Sequence, residues 1–125
     1  MRYRLATALA VAFFMSACAA KTQPRVAPAP EPTPAPTASF MATAYCRGSV
    51  TASGDSVRPG VIAADPAVLP LGSVVRITGL APYDGTYTVL DTGAAVRGRR
   101  IDLYMADCSA ARRFGRRMAD IKILK

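Results

Sequence analysis

The stretch DTGAAVRGRRIDLYMADC, residues 91–108, connects the end of one apolar segment to the next. Its RIDLY segment has the composition of a β-strand, in which successive side chains point to opposite faces. That alternation places Asp102 and Tyr104 on the face opposite the apolar side chains. A carboxylate inside a short apolar strand is uncommon. The stretch therefore predicts a strand that also carries a functional acid.

Further segments with the pattern of short strands lie on both sides of this stretch. They are SFMATAYC (39–46), GVIAAD (60–65), SVVRITG (73–79), TYTVLD (86–91) and MADIKIL (118–124). Asp107 is placed to cap a short helix, CSAARRF, which Gly115 ends. Six short strands and one short helix predict a mainly β domain built as a small barrel.

The N-terminus predicts export. A basic start, MRYR, precedes the apolar run LATALAVAFF, which is shorter than the roughly 20 residues that a membrane span needs. Residues 1–17 are therefore interpreted as a signal peptide. Ser16 and Ala17 before Cys18 resemble the bacterial lipobox, in which the cysteine is lipidated, although Met15 stands where leucine is usual. Ordinary secretion with cleavage nearby is the alternative.

The segment after Cys18 predicts a tether rather than a folded unit. Residues 18–38 are rich in proline, which favours extended polyproline II structure, and residues 39–125 remain as the folded domain. Ala19 after the cysteine is similar to the outer-membrane sorting pattern. The predicted location is thus the cell envelope, with a lipid anchor at Cys18, on the periplasmic face of the outer membrane in a Gram-negative host.

Export also bears on the two remaining cysteines, Cys46 and Cys108. In an oxidising compartment such a pair is often bridged. The bridge would close a loop of about 60 residues, which the chain-entropy treatment values at roughly 4 kcal/mol. Two buried thiols are the alternative.

Composition limits the chemistry and the partners. The formal net charge is +8, which favours nucleic acid, anionic lipid or an anionic polymer as partner. The chain shows no nucleic-acid motif, and its aromatic residues are not interleaved with the arginines, so nucleic acid is not expected. Histidine is absent and Glu31 is the single glutamate, so acid–base chemistry falls to aspartate. We expect neither a cofactor nor a bound metal.

Three aspartates have a position that favours a site. Asp65 ends the segment GVIAAD, Asp91 ends TYTVLD, and Asp102 lies inside RIDLY. Carboxylates that are grouped and partly buried raise one another's pKa, so that one of them stays protonated and can protonate a leaving group. Cleavage of a glycosidic bond requires such an acid. A purely structural role is the alternative, since aspartate is common at strand ends.

The motifs TASG, IAADP, DTGAAVRG and RIDLY, in this order, resemble the 3D domain family, named for three aspartates. They are also similar to the C-terminal barrel of MltA-type lytic transglycosylases. The resemblance runs from about Ala42 to Leu124, and it implies a six-stranded double-psi β-barrel of the kind found in RlpA-like proteins. Its three aspartates fall on Asp65, Asp91 and Asp102. DTGAAVRG departs from the common DTGGAIKG, since Ala94 replaces a glycine and Arg97 replaces a lysine.

The resemblance implies a peptidoglycan lytic transglycosylase, which cleaves the β-1,4 bond between N-acetylmuramic acid and N-acetylglucosamine and leaves a 1,6-anhydro product. Asp102 would be the single acid–base, Asp91 a supporting carboxylate and Asp65 a more distant one. The implied glycan-binding residues are Thr51, Ser53, Gly54, Thr92, Gly93, Arg97 and Tyr104. The alternatives are a non-catalytic glycan-binding envelope protein and a structural lipoprotein. The expected partner is a peptidoglycan glycan strand, bound by a monomer.

Overall fold

The structure, a computed structural model, describes residues 35–125. It contains six strands and one helix: β1 (Thr37–Tyr45), β2 (Val61–Ala64), β3 (Val74–Thr78), β4 (Gly85–Asp91), β5 (Arg100–Tyr104), α1 (Cys108–Phe114) and β6 (Arg117–Ile123). The predicted signal peptide, the predicted lipidation site at Cys18 and most of the predicted tether lie outside the described residues. Within residues 35–125, no helix is long and apolar enough to cross a membrane.

The six strands close into a barrel in the order β1-β5-β2-β4-β3-β6. Two of the pairings are parallel, β1 with β5 and β2 with β4, and the other four are antiparallel. The prediction of a mainly β, six-stranded barrel with one short helix is confirmed. Closure leaves no free strand edge in the barrel, so a small domain of this kind is protected from edge-to-edge association.

The inside of the barrel is filled by alternating apolar side chains. In β5, Ile101 and Leu103 are buried whereas Arg100, Asp102 and Tyr104 are only partly covered, as the alternation predicts. The largest fully buried side chains are Ile62, Leu69, Ile77, Leu80, Ile101, Leu103, Ile121, Val61, Val75 and Val89. Side chains on the outer face of the strands are thus free to build a site.

β1 begins two residues before the predicted start of the domain. Thr37 and Ala38 pair with Lys122 and Ile121 of β6, which extends the antiparallel ladder. Sequence patterns did not indicate this extension because the residues before Thr37 are rich in proline.

The helix and the disulfide take the predicted positions. The Asp107 side chain accepts a hydrogen bond of 2.8 Å from the backbone amide of Ser109, and Gly115 ends the helix with φ +66°. A positive φ favours glycine there. Cys46 and Cys108 form a disulfide, with their Cα atoms 5.0 Å apart, which joins the end of β1 to the start of α1. The disulfide prediction is confirmed.

Candidate active site

The candidate site lies on the outer face of four adjacent strands. Thr43 of β1 pairs with Asp102 of β5, and Asp102 pairs in turn with Ala63 of β2. Ala63 also pairs with Asp91 of β4. Paired residues project from the same face of a sheet. The two carboxylates therefore flank the small side chain of Ala63, one on each neighbouring strand.

An irregularity in β4 brings Asp91 to this position. The pairing of β2 with β4 shifts register after Ile62, which is opposite Val89, so that Ala63 is opposite Asp91 and Leu90 has no partner in the ladder. In a regular ladder Leu90 would face Ala63. A bulge of this kind redirects the side chains that follow it. Here it places the carboxylate beside Ala63.

Asp102 is half-buried and has an altered pKa. Burial raises the pKa of its carboxyl group, since the charged form loses solvation, and the charge of Asp91 raises it further. A hydrogen bond of 2.9 Å from the Thr43 hydroxyl and the nearby charge of Arg100 act in the opposite direction. The net shift is upward, so Asp102 keeps its proton to a higher pH than an exposed aspartate does.

Asp91 is held by three donors. Its Oδ1 accepts hydrogen bonds from the backbone amides of Ala52 and Thr92, each 2.9 Å long, and its Oδ2 accepts one of 3.0 Å from the Tyr45 hydroxyl. Burial and this hydrogen bond raise the pKa of Tyr45, so the phenol remains a donor at any physiological pH. Asp91 is thereby fixed in orientation, and it ties the 51–55 turn to the end of β4.

Asp65 is placed differently from the other two aspartates. Its two oxygens accept hydrogen bonds from the backbone amides of Ala67, at 3.0 Å, and Gly98, at 2.8 Å. These bonds lower its pKa, and the charge of Arg97 adds to the effect. Asp65 therefore fixes the loop between β4 and β5. Within residues 35–125, no three His, Cys, Asp or Glu side chains are arranged to hold a metal ion.

A cavity of about 230 Å³ opens at the two central carboxylates. Its lining consists of Tyr45, Arg47, Ala63, Asp91, Thr92, Gly93, Val96 and Asp102. Of the predicted site residues, the structure brings Asp91, Asp102, Thr92 and Gly93 together here. Asp65 and Arg97 are not among the lining residues.

The TASG motif is used mostly within its own turn. The buried hydroxyl of Thr51 lies 2.9 Å from that of Ser53 and donates to the backbone carbonyl of Asp55 at 3.1 Å. Ser53 in turn donates to the Asp55 carboxylate at 2.8 Å, and Gly54 has φ +90°. The motif reaches the site through the amide of Ala52, which donates to Asp91. Its hydroxyls already form hydrogen bonds within the turn.

Several site residues were not foreseen from the sequence, namely Thr43, Tyr45, Arg47 and Ala63. Tyr45 packs edge to face against the predicted Tyr104, with ring centroids 5.5 Å apart. The spacing of Thr43 and Tyr45 matches that of Asp102 and Tyr104, because β1 and β5 run parallel and in register. That match is visible in the sequence only after the two strands are known to be neighbours.

Two known proteins of Bacillus subtilis (strain 168) are similar to this chain in sequence. Residues of the chain are 40% identical to YabE of Bacillus subtilis (strain 168), named as a cell wall shaping protein, over 88 residues. They are 37% identical over 92 residues to YocH of the same organism, named as a cell wall-binding protein. Each match covers 66% of this chain, but only 21% of YabE and 31% of YocH. The chain thus corresponds to a minor part of either relative.

A solved structure and a family model also match. The lytic transglycosylase LtgG of Burkholderia pseudomallei aligns with a TM-score of 0.47 and 25% identity, over 62% of this chain and 28% of that one. The model of the 3D domain matches residues 60–125, which begin at the glycine before β2 and include both central carboxylates. Since this match extends over more than half of its length, the chain belongs to the 3D domain family.

Proposed function

We propose that the protein is a peptidoglycan lytic transglycosylase in which Asp102 is the single acid–base. The observation that carries the proposal is the environment of Asp102, which borders an open cavity and has a pKa raised by burial. A carboxylic acid that keeps its proton to a higher pH than usual is suited to protonate a glycosidic oxygen. The family and the names of the two relatives support the cell wall as the place of action.

The proposed reaction needs one acid that later serves as a base. Asp102 donates its proton to the oxygen between the two sugars, and the bond from that oxygen to C1 of N-acetylmuramic acid breaks. The C6 hydroxyl of the same sugar then bonds to C1, and its proton passes to the Asp102 carboxylate. The acid is restored and no water is consumed. A second carboxylate is not needed as a nucleophile.

Asp91 has a supporting role in this proposal. Its three donors hold it in one orientation beside Ala63, and its charge is one of the causes that raise the pKa of Asp102. The same charge would stabilise the positive charge that develops on the sugar ring as the bond breaks. Asp65 would act at a distance, through the loop that it fixes by Gly98.

The remaining parts of the proposal concern location and partners. We place the domain in the cell envelope, attached by a lipid at Cys18 and separated from the membrane by the proline-rich residues before β1. It would act as a monomer on glycan strands. The names of YabE and YocH support the envelope in general terms.

A non-catalytic wall-binding function is the second candidate. The cavity of about 230 Å³ lies below the range of about 300–1,000 Å³ that is usual for sites enclosing a small ligand. A shallow site of this size fits one edge of a glycan strand without surrounding it. YocH is named for binding to the cell wall, and its match covers the same share of this chain as the match to YabE.

The two functions are separated by mass spectrometry of the soluble products released from isolated peptidoglycan by the purified full chain. We expect muropeptides that end in 1,6-anhydromuramic acid, and we expect none from Asp102→Asn. Asp120→Asn is the matched control, because Asp120 lies on β6 and accepts its hydrogen bond from Ser39, away from the cavity. Products with a reducing end would instead identify a hydrolase. Retention on peptidoglycan without products would identify the binding function.

A further inference from the structure

The cavity that holds the two central carboxylates is lined by one cationic residue, Arg47. Its side chain is exposed and belongs to the residue that directly follows Cys46 at the end of β1. The disulfide to Cys108 fixes the backbone at that point. The backbone that carries the Arg47 charge at the rim of the cavity is thus held in place by the disulfide.

Other arginines near the site already interact with groups of the protein itself. Arg100 donates a hydrogen bond of 2.9 Å to the backbone carbonyl of Ala95 and its charge acts on Asp102, whereas the charge of Arg97 acts on Asp65. Arg47 forms no ion pair with any residue of 35–125, where the single ion pair joins Arg113 to Asp107 at 3.9 Å. The guanidinium of Arg47 is therefore available to a ligand.

The negative charge in the cavity suggests what Arg47 does there. Asp91 and Asp102 lie on either side of Ala63 there, and the negative charge of Asp91 repels an anionic polymer. A cationic group at the rim offsets that repulsion and offers a planar pair of N–H donors to a carboxylate. Tyr45 lines the same cavity and packs against Tyr104, and a sugar ring can pack on an aromatic face of this kind.

We propose that Arg47 selects glycan that carries a free carboxylate next to the sugars bound in the cavity. This inference rests on the proposed function for the identity of the polymer. It assigns the recognition to Arg47, whereas the resemblance to the 3D domain family implied Arg97. Two sources of the carboxylate exist in peptidoglycan, the lactyl group of muramic acid when it bears no peptide and the carboxylates of the peptide stem.

The test is binding to isolated, insoluble peptidoglycan, measured by depletion of the full chain from solution. All proteins carry Asp102→Asn so that the polymer stays intact, and Arg47→Gln is added to one of them. Arg116→Gln is the matched control, because it removes an equal charge from an exposed arginine that does not line the cavity. A second polymer has its carboxylates converted to neutral amides with ethanolamine.

We expect Arg47→Gln to weaken binding to untreated peptidoglycan by roughly two- to fivefold, the range of an exposed charged contact. Arg116→Gln should change it by less than about twofold, the size of a screened surface charge. On the neutralised polymer the Arg47→Gln protein and its parent should bind alike. Arg47→Lys, which keeps the charge but not the paired donors, should fall between parent and Arg47→Gln.

Peptide-stripped strands distinguish the two sources. An Arg47 effect that persists on them assigns the lactyl carboxylate, and one that disappears assigns the stem. Equal binding of Arg47→Gln and its parent to both untreated and peptide-stripped peptidoglycan, or an equal loss on the neutralised polymer, overturns the proposal. The wild-type product assay decides the proposed function separately, since binding can depend on Arg47 whether or not anhydro products form.

Discussion

Thr43 and Asp102 are opposite one another in the parallel pairing of β1 and β5, and the Thr43 hydroxyl donates a hydrogen bond of 2.9 Å to Oδ1 of Asp102. The bond stabilises the charged carboxylate and so holds the pKa of Asp102 below the value that burial alone would produce. Thr43 thereby adjusts the acidity of the group that the proposed mechanism uses twice.

Thr43→Val removes this hydrogen bond at nearly constant volume. We expect the pKa of Asp102 to rise further, and the decline of activity at alkaline pH to move to higher pH, since a protonated Asp102 is required for the first step. The carboxyl pKa is measured by carbon-13 NMR titration, independently of turnover. Ser39→Ala is the control, because it removes a similar bond, 2.8 Å to Asp120, from the same strand. An unchanged or lower pKa of Asp102 in Thr43→Val would contradict this account.

The raised pKa of Asp102 also predicts how stability changes with pH. The folded state binds this proton more tightly than the unfolded state, so stability falls as pH rises from the ordinary aspartate pKa through the raised one. Asp102→Asn cannot ionise, and its amide oxygen can still accept from Thr43. We expect its Tm to exceed that of wild type by a few degrees at pH 7 and to match it in strong acid. A lower Tm at pH 7 would show that burial of the charge carries no cost.

The lowered pKa of Asp65 predicts the opposite dependence of stability on pH. Its pKa is lowered by the amides of Gly98 and Ala67, so its contribution is present above the ordinary aspartate pKa and is lost as pH falls through the lowered value. Asp65→Asn should therefore have a lower Tm than wild type at pH 7, with the difference shrinking in acid. Thermal unfolding at a series of pH values measures both aspartate variants together. The idea fails if the two variants shift Tm in the same direction at pH 7.

Much of the fold was predictable because its signals are local. Alternation within RIDLY predicted the faces of β5, and the Asp107 cap with the Gly115 stop predicted α1. Such signals depend on residues close in the chain, where backbone preference and burial act together. The order of the strands depends on pairings between distant segments, and no local pattern encodes it.

The site residues were predictable only where the pattern of a single strand marks them. Asp91 and Asp102 were expected to be close, and they lie on either side of Ala63. Asp65 was expected to lie further out, and its oxygens accept hydrogen bonds from two loop amides. Thr43 and Tyr45 became visible only through the register of β1 with β5, and the bulge at Leu90 depends on the pairing of β2 with β4.

The disulfide gives a prediction for the folded state as a whole. Cys46 and Cys108 are 62 residues apart in sequence, and the loss of that cross-link through Cys46→Ser with Cys108→Ser should lower the free energy of unfolding by about 4 kcal/mol. Guanidinium unfolding measures the difference. Wild type reduced with dithiothreitol should match the double variant. A loss below about 1 kcal/mol would show that the unfolded chain is already restrained without the bridge.

The small side chain of Ala63 keeps the cavity open between the two carboxylates, so a larger residue there should block it. Its side chain lines the cavity between Asp91 and Asp102. The bulge at Leu90 places Asp91, and not the larger apolar side chain of Leu90, opposite Ala63. Ala63→Leu should project into the cavity and reduce turnover or glycan binding by about tenfold or more, at a cost to stability of about 1–3 kcal/mol from overpacking. Ala63→Ser adds a single oxygen and should retain at least half of the activity. Circular dichroism and thermal unfolding establish that both variants are folded. If Ala63→Leu binds and turns over glycan as wild type does, the sugar does not reach the space between the two carboxylates, and Asp102 cannot be the acid that cleaves it.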